Sequence, residues 1–280
     1  MKKLSLAVSF AALLAASPAF ADSNINGSTI EQIGVTSTVT VDQHGTGNFN
    51  KSKVKQGVLP GDPISNSTVN VIQTGTDNKF PTDRGNLSEI TQNGSNNKAD
   101  LIQRGIKNDN ESKITQKGDG VGTSINSAIV RQRGEHNINY SDVKQIGHNN
   151  SAEVRQRGED NFNKSEVEQS GHNNTADVRQ RGFDNDNISK VKQVDGPNTA
   201  KILQEGDHNA NTSEVTQDNN GSLLNTAIVT QFGDHNTNFS IIAQTGEDLT
   251  ATVTQSGSHN SNTSVIGQTG ASLTATVTQN

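Results

Sequence analysis

Residues Ser165–Asn187 read SEVEQSGHNNTADVRQRGFDNDN and contain two short segments in which the side chains alternate strictly. In the first segment Ser165, Val167 and Gln169 fall on one face, and acidic residues fall on the other. The second segment, Ala-Asp-Val-Arg-Gln, ends at Gln180 and follows the same alternation. Alternation with a period of two is typical of half-buried strands, and the Gly, Asn and Asp clusters that follow favour turns. The stretch therefore predicts strand, turn, strand, turn.

The glutamines that end these segments recur along the chain, and most gaps between them are 11 or 13 residues. Val or Ile stands two residues before each of them, except before Gln103, where Leu101 takes that place. A fixed period of about 24 residues is typical of solenoids, in which each repeat stacks on the one before it. The twenty members of this ladder are Gln32, Gln43, Gln56, Gln73, Gln92, Gln103, Gln116, Gln132, Gln145, Gln156, Gln169, Gln180, Gln193, Gln204, Gln217, Gln231, Gln244, Gln255, Gln268 and Gln279.

We predict an all-β fold: a β-solenoid of ten strand-turn-strand repeats, with two parallel sheets face to face and cross-β stacking. Ser, Val or Ile, and Gln from one sheet would face Ala, Val and Gln from the other. A buried amide without a partner is costly, but in a solenoid each glutamine can donate to the same glutamine one repeat further on. The twenty glutamines are thus the predicted core ladder of the stack. The alternative is that they are polar strand ends near solvent.

Asparagine stands five residues after many of these glutamines, and we predict a similar ladder at the corners of the solenoid. A simpler explanation is that asparagine tolerates the left-handed conformation that turns require. The predicted corner asparagines are Asn150, Asn161, Asn174, Asn185, Asn198 and Asn209.

Residues 1–21 have the features of a secretory signal peptide. Lys2 lies in a basic N-terminal stretch, an apolar run follows it, and a small-x-small cleavage site ends at Ala21. The apolar run is too short to span a bilayer, and the chain is not expected to span a membrane elsewhere. Residues 22–27 form a short N-terminal segment before the repeat domain, residues 28–280. Longer gaps between glutamines predict loop insertions near residues 57–66, 78–86, 118–125 and 218–224.

Composition and charge exclude several classes of function. Only 29% of the residues are hydrophobic, which alone would resemble disorder, but a thin stacked core needs little apolar mass per repeat. The net charge of −6 disfavours nucleic acid as a partner, because proteins that bind its backbone carry a basic excess. Serines and carboxylates recur at repeating positions and form no unique catalytic group. We therefore expect no enzyme activity and no cofactor.

Histidines and arginines form the most distinctive polar sets. His208, His235 and His259 occupy equivalent positions of successive repeats and are predicted to stack, as are His148 and His172 at the other corner. Adjacent imidazoles could bind Zn²⁺ or Cu²⁺, although we interpret these residues as polar turn residues in water.

Two arginine columns are also predicted. Their members are Arg131, Arg155 and Arg179, and beside them Arg133, Arg157 and Arg181. We interpret them as a solvated face, in which mixed charges pair on the surface. The alternative is a stripe that binds an anionic ligand such as a polysaccharide. The acids expected to neutralise this face are Glu135, Glu153, Glu159 and Asp177.

The motif Gln169-x-Gly171-x-x-Asn174-x-Ala176-x-x-x-Gln180 resembles the curlin repeat, the unit of bacterial curli amyloid subunits. The resemblance implies a secreted subunit that polymerises head to tail into extracellular fibres for biofilm matrix, adhesion and aggregation. It also implies three partners: other copies of the chain, a nucleator subunit and an outer-membrane secretion pore. The last repeat is neutral, which favours the major subunit, because the last repeat of the nucleator in this family tends to be basic. The minor nucleating subunit is the alternative.

A second alternative is a monomeric secreted solenoid that binds ice, a glycan or a surface. Thr252 and Thr254, with Thr276 and Thr278, form an outward Thr-x-Thr array of the kind that ice-binding solenoids use, but it covers only the last two repeats. Soluble solenoids need polar caps, whereas the strand pattern here continues to Asn280. We therefore favour the fibre subunit.

Overall fold

A computed structural model describes residues 25–33, 37–47, 49–57, 66–76, 85–118 and 125–280. The predicted signal peptide and most of the first three predicted insertions lie outside these residues. The fourth predicted insertion is described, and its residues 220–224 lie between two strands. Among the described residues there is no helix that is long and apolar enough to cross a membrane.

The described residues form twenty β-strands in two ten-stranded parallel sheets. The odd-numbered strands make the first sheet: β1 Ile25–Gln32, β3 Phe49–Gln56, β5 Asn86–Asn93, β7 Asp109–Lys117, β9 Ile138–His148, β11 Phe162–His172, β13 Asp186–Asp195, β15 Ala210–Asn219, β17 Thr237–Glu247 and β19 Ser261–Ala271. The even-numbered strands make the second: β2 Thr38–Thr46, β4 Thr68–Thr76, β6 Lys98–Ile106, β8 Ser127–Glu135, β10 Ser151–Glu159, β12 Thr175–Phe183, β14 Asn198–Asp207, β16 Asn225–Phe232, β18 Thr250–Gln255 and β20 Thr274–Gln279. Successive strands alternate between the sheets, so an odd-numbered strand and the next even-numbered strand make one rung. The predicted all-β solenoid of ten repeats is confirmed.

Every strand lies in register on the equivalent strand of the next rung. In β11, for example, Ser165 lies on Ser141 of β9 and Val167 lies on Val143. Residues at equivalent positions of successive rungs therefore form columns along the solenoid, spaced by the distance of about 4.8 Å between neighbouring strands. A pattern that repeats along the sequence becomes a row of like side chains in space.

The core lies between the two sheets and is thin. Val167 of β11 and Val178 of β12 are buried, as are Ser165 and Ala176 beside them. Each rung thus buries only a few small apolar side chains, and this cannot offset the entropy lost when about 24 residues become ordered. The remaining stability has to come from stacking each rung on its neighbours.

The corners between strands use residues in the left-handed conformation. Asn149, Asp160, Asn173 and Asp184 have φ values of 55°, 54°, 58° and 50°. Asn and Asp adopt this conformation more readily than most residues. At these four corners the left-handed residue directly precedes the predicted corner asparagine. The need for a left-handed turn therefore does not explain these corner asparagines.

Candidate functional site

The ladder glutamines form two columns, one in each sheet, and Gln169 in β11 is typical of them. Its side chain is fully buried. Its Nε2 donates to Oε1 of Gln193 at 2.8 Å and to the carbonyl oxygen of Ser151, in the other sheet, at 2.9 Å. Its Oε1 accepts from Nε2 of Gln145 at 2.8 Å. The amide of Gln169 is thus bonded both along the solenoid and across its core.

Burial of the ladder is nearly complete. Seventeen of the twenty glutamines are buried, and the partly exposed members are Gln32, Gln43 and Gln279 in the outermost rungs. At the start of the first column, Gln32 donates to the carbonyl oxygen of Ser37, and Oε1 of Gln56 has no hydrogen-bond partner among the described residues. The buried members are therefore not polar strand ends near solvent. Their role in a fibre stays a prediction.

The corner asparagines are buried, but most bond differently from the predicted amide-to-amide ladder. The backbone N–H of Asn161 donates to Oδ1 of Asn137 at 2.9 Å, and its Nδ2 donates to the carbonyl oxygen of Gly182 at 2.8 Å. Oδ1 of Asn161 accepts from the backbone N–H of Asn185 at 2.9 Å, while Nδ2 of Asn185 donates to the carbonyl oxygen of Gly206. Asn198 follows the prediction, because its Nδ2 donates to Oδ1 of Asn174 at 2.9 Å.

A further asparagine column, not among the sequence-based predictions, forms a continuous amide ladder. Nδ2 of Asn163 donates to Oδ1 of Asn139 at 2.9 Å, and Nδ2 of Asn187 donates to Oδ1 of Asn163 at 3.1 Å. Donation runs towards the preceding rung, opposite to the glutamines. The sequence does carry a signal for it, an asparagine two residues before each core serine. The ten members are Asn26, Asn50, Asn86, Asn110, Asn139, Asn163, Asn187, Asn211, Asn238 and Asn262.

We expect Asn163→Ala to lower the free energy of unfolding by about 1–3 kcal/mol, because Oδ1 of Asn139 and Nδ2 of Asn187 would each lose this partner. The shift in the urea midpoint measures the loss. Lys192→Ala, at an exposed residue of the same sheet, is the control and should change the free energy by less than about 0.5 kcal/mol. Equal shifts would mean that the asparagine ladder does not stabilise the stack.

The three predicted histidines stack in one corner column. The ring centroids of His208 and His235 are 4.7 Å apart, and those of His235 and His259 are 4.8 Å apart, with interplanar angles of 8° and 4°. His148 and His172 stack at the other corner, with centroids 5.4 Å apart. Parallel rings place their nitrogens side by side, so the three imidazoles do not converge on one point. Metal binding by them stays a prediction.

A different group brings possible metal ligands closer together. Ligand atoms of Glu135, His136 and Glu159 lie within 4.8 Å of one another at an exposed corner. Glu135 and Glu159 are in register on neighbouring strands, and His136 has a positive φ of 51°. This group, which combines two glutamates of one column with His136 of another, is not among the sequence-based predictions.

The arginines divide into two columns with different partners. The paired arginine column consists of Arg131, Arg155 and Arg179, and acids on the same face neutralise it as predicted. Arg155 contacts Glu153 at 2.6 Å, and Arg179 contacts Asp177 at 2.7 Å. Glu153 also accepts from Arg131, at 2.6 Å. This column is an ordinary surface of mixed charge.

The outer arginine column lies two residues further along each strand and consists of Arg104, Arg133, Arg157 and Arg181, which are in register. Arg181 contacts Glu205 at 2.6 Å. Among the described residues no ion pair involves the other three guanidinium groups. Partial desolvation and the like charges of neighbouring arginines lower the pKa of Arg133.

Of the four acids expected to neutralise the arginine face, Glu135 and Glu159 form no ion pair with an arginine among the described residues. In a regular strand residues i and i+2 share a face, which would place each acid beside the arginine before it. Here Gly134 and Gly158 lie between acid and arginine with φ values of 138° and 147°. This conformation ends the regular alternation, and the two acids lie at the corner with His136.

Comparison with known proteins agrees with this periodic architecture. Three segments, residues 84–118, 147–182 and 225–257, match the family model of the curlin associated repeat. Comparison with curated proteins gives no match. The matched segments lie in different parts of the stack and include ladder glutamines with the glycines that follow them. These three segments of the chain therefore carry the curlin associated repeat.

Proposed function

We propose that this chain is a secreted structural subunit that polymerises head to tail into extracellular, curli-like fibres of a biofilm matrix, with roles in adhesion and aggregation. The continuous amide ladders carry the proposal. Each rung binds the next through equivalent glutamines and asparagines, in register. An outermost rung of one copy therefore offers another copy the same kinds of ladder group that it offers its own neighbour.

The outermost strands have backbone and side-chain hydrogen-bonding groups that a head-to-tail contact between two copies can use. In the described part of the chain, β1 and β2 pair on one side only, and so do β19 and β20. Unpaired strand edges of the same period template further pairing, and a head-to-tail contact repeats without limit. Nε2 of Gln279 donates to the carbonyl oxygen of Thr263, and its second N–H is available to Gln43 of the next copy. This direction of donation continues that of the ladder.

Charge favours contact through these edges. Neither β19 nor β20 contains a charged residue, and β1 and β2 carry only Glu31, Asp42 and the titratable His44. Inner rungs instead stack like charges, such as Arg155 on Arg179. The neutral edge is also our reason for favouring the major subunit over the nucleator.

Export and partners form part of the same proposal. Residues 1–21 would direct secretion and be removed after Ala21, and the mature chain would act at the cell surface. By analogy with curli systems, a nucleator subunit would start the fibre and an outer-membrane pore would release the chain. Neither partner has to contribute to the ladder, because each rung is complementary to itself.

The test follows assembly of the chain without residues 1–21. After dilution from denaturant we expect a disordered chain that converts to β-structure after a lag and forms fibres visible by electron microscopy, since one rung alone is unstable. Preformed fibres should abolish the lag. A monomer that keeps a stable β-fold for days at high concentration would contradict the proposal and favour the monomeric solenoid.

Two deletions test whether the neutral edge controls assembly. Removing residues 264–280 should lengthen the lag more than removing residues 165–188. The second deletion takes out one inner rung and leaves the register of the other rungs intact. A longer lag after the internal deletion, or equal lags, would show that polymerisation does not depend on the edge formed by β19 and β20.

A further inference from the structure

Three members of the outer arginine column form a row of positive charges without ion pairs, whereas the fourth, Arg181, is paired with Glu205. Arg104, Arg133 and Arg157 are exposed, lie on successive even-numbered strands, and have no ion pair among the described residues. The backbones of neighbouring arginines in the row are separated by about the strand spacing of 4.8 Å. Like charges directly opposite on paired strands are destabilising, so this row has a cost that a bound anion would remove.

The surroundings make the row distinctive. The paired arginine column beside it meets carboxylates at 2.6 and 2.7 Å, although it lies on the same strands. The chain as a whole carries a net charge of −6, so the row is a cationic stripe on an acidic protein. Partial desolvation and the charges of Arg104, Arg131 and Arg157 lower the pKa of Arg133, as expected where positive charge accumulates.

We propose that the outer arginine column binds a linear anionic polysaccharide, a chain of sugars bearing carboxylates, laid parallel to the solenoid axis. A guanidinium group is a planar fork of donors that bonds a carboxylate through two parallel hydrogen bonds. A row of such forks matches a row of carboxylates along an extended polymer. The proposal does not depend on fibre formation, although a fibre would repeat the stripe and strengthen binding through multivalency.

The shape of the stripe favours a sugar chain over nucleic acid. The positive row is one residue wide, and the acidic group of Glu135 and Glu159 lies at the corner next to it. A wide polyanion such as a duplex would approach these carboxylates as well as the arginines. The net charge of −6 opposes it further, because nucleic-acid affinity rests on a basic excess. A single extended polymer can contact the arginines alone.

The test uses two double variants that each remove two positive charges from neighbouring rungs. The first, Arg133→Gln with Arg157→Gln, removes unpaired guanidinium groups. The second, Arg155→Gln with Arg179→Gln, removes guanidinium groups that already contact Glu153 and Asp177. Binding of fluorescent alginate is measured by anisotropy at low ionic strength, with all proteins in the same assembly state and with the same β-sheet circular dichroism. Neutral dextran and single-stranded DNA are the comparison polymers.

We expect the first variant to bind alginate about tenfold more weakly than the unmodified chain, with a shallower salt dependence, because two charge-assisted contacts are lost. The affinity of the second variant for alginate should stay within about threefold of that of the unmodified chain, since its arginines are already neutralised. Equal weakening would mean that binding follows net charge alone and would overturn the proposal. Absence of alginate binding, equal binding of dextran, or tighter binding of single-stranded DNA would overturn it as well.

Discussion

Replacing Gln169 by glutamate should lower the free energy of unfolding by about 3–5 kcal/mol, the range found when a buried charge is left without its partner. The amide donates to Gln193 at 2.8 Å and to Ser151 at 2.9 Å, and both bonds are lost because a carboxylate has no donor. The Oε1 of Gln193 would then face a carboxylate oxygen in a fully buried site. The urea midpoint for the loss of β-sheet circular dichroism measures the change.

The pH dependence of the same variant gives a second result to check. Burial raises the pKa of an unpaired carboxyl group, so the new glutamate should bind its proton more tightly in the folded chain than in the unfolded chain. Stability should therefore be regained as the pH falls, and lost as the pH rises through the raised pKa. A protonated carboxyl also has one O–H, which can restore the bond to Gln193.

Glu168→Gln is the matched control for this variant. Glu168 is the residue before Gln169, but it is on the outer face, and it accepts from Nζ of Lys144 at 2.7 Å. Exposed ion pairs of this kind contribute about 0–1 kcal/mol, so the control should shift the midpoint little. Comparable losses in the two variants would mean that the ladder glutamines are not what holds the rungs together.

The fold could be predicted from the sequence because stacking in register turns a repeat into a column. Gln169 and Val167 stand on equivalent residues of the rungs before and after them, as their spacing predicts. Period-two alternation then decides which side chains face the core, and the buried state of Val167 and Ser165 agrees with it. Both steps use backbone geometry alone, which explains why they succeed.

The partners of polar side chains were harder to predict, because they depend on dihedral angles that the repeat does not reveal. Asn163 and Asn161 are two residues apart, yet the side chain of Asn163 bonds amide to amide and that of Asn161 bonds to the backbone groups of Gly182 and Asn185. Likewise Glu135 would lie beside Arg133 in a regular strand, but the φ of 138° at Gly134 separates them. Sequence spacing identifies the columns and does not determine their pairing.

The positive φ of the equivalent glycine in the next rung, Gly158, leads to a second prediction of a large loss of stability. Gly158→Ala should lower the free energy of unfolding by about 3 kcal/mol or more, because two penalties act together. Its φ of 147° is one that side-chain-bearing residues rarely adopt. An added Cβ would also collide with the carbonyl oxygen of Gly182 and with Nδ2 of Asn161. These two atoms already bond each other at 2.8 Å, so neither can move without breaking the contact between neighbouring rungs.

Gly267→Ala is the control that separates this collision from the general effect of replacing glycine. Gly267 has no positive φ, nothing lies within 4 Å of an added Cβ, and Ala243 occupies the equivalent place in the preceding rung. Both substitutions restrict the unfolded chain similarly, so Gly267→Ala should be neutral or stabilising by up to about 1 kcal/mol. Urea midpoints and fibre lag times are compared for the two variants. If Gly158→Ala unfolds at the same urea concentration as Gly267→Ala, the rungs do not depend on the close approach of Gly158 to Gly182.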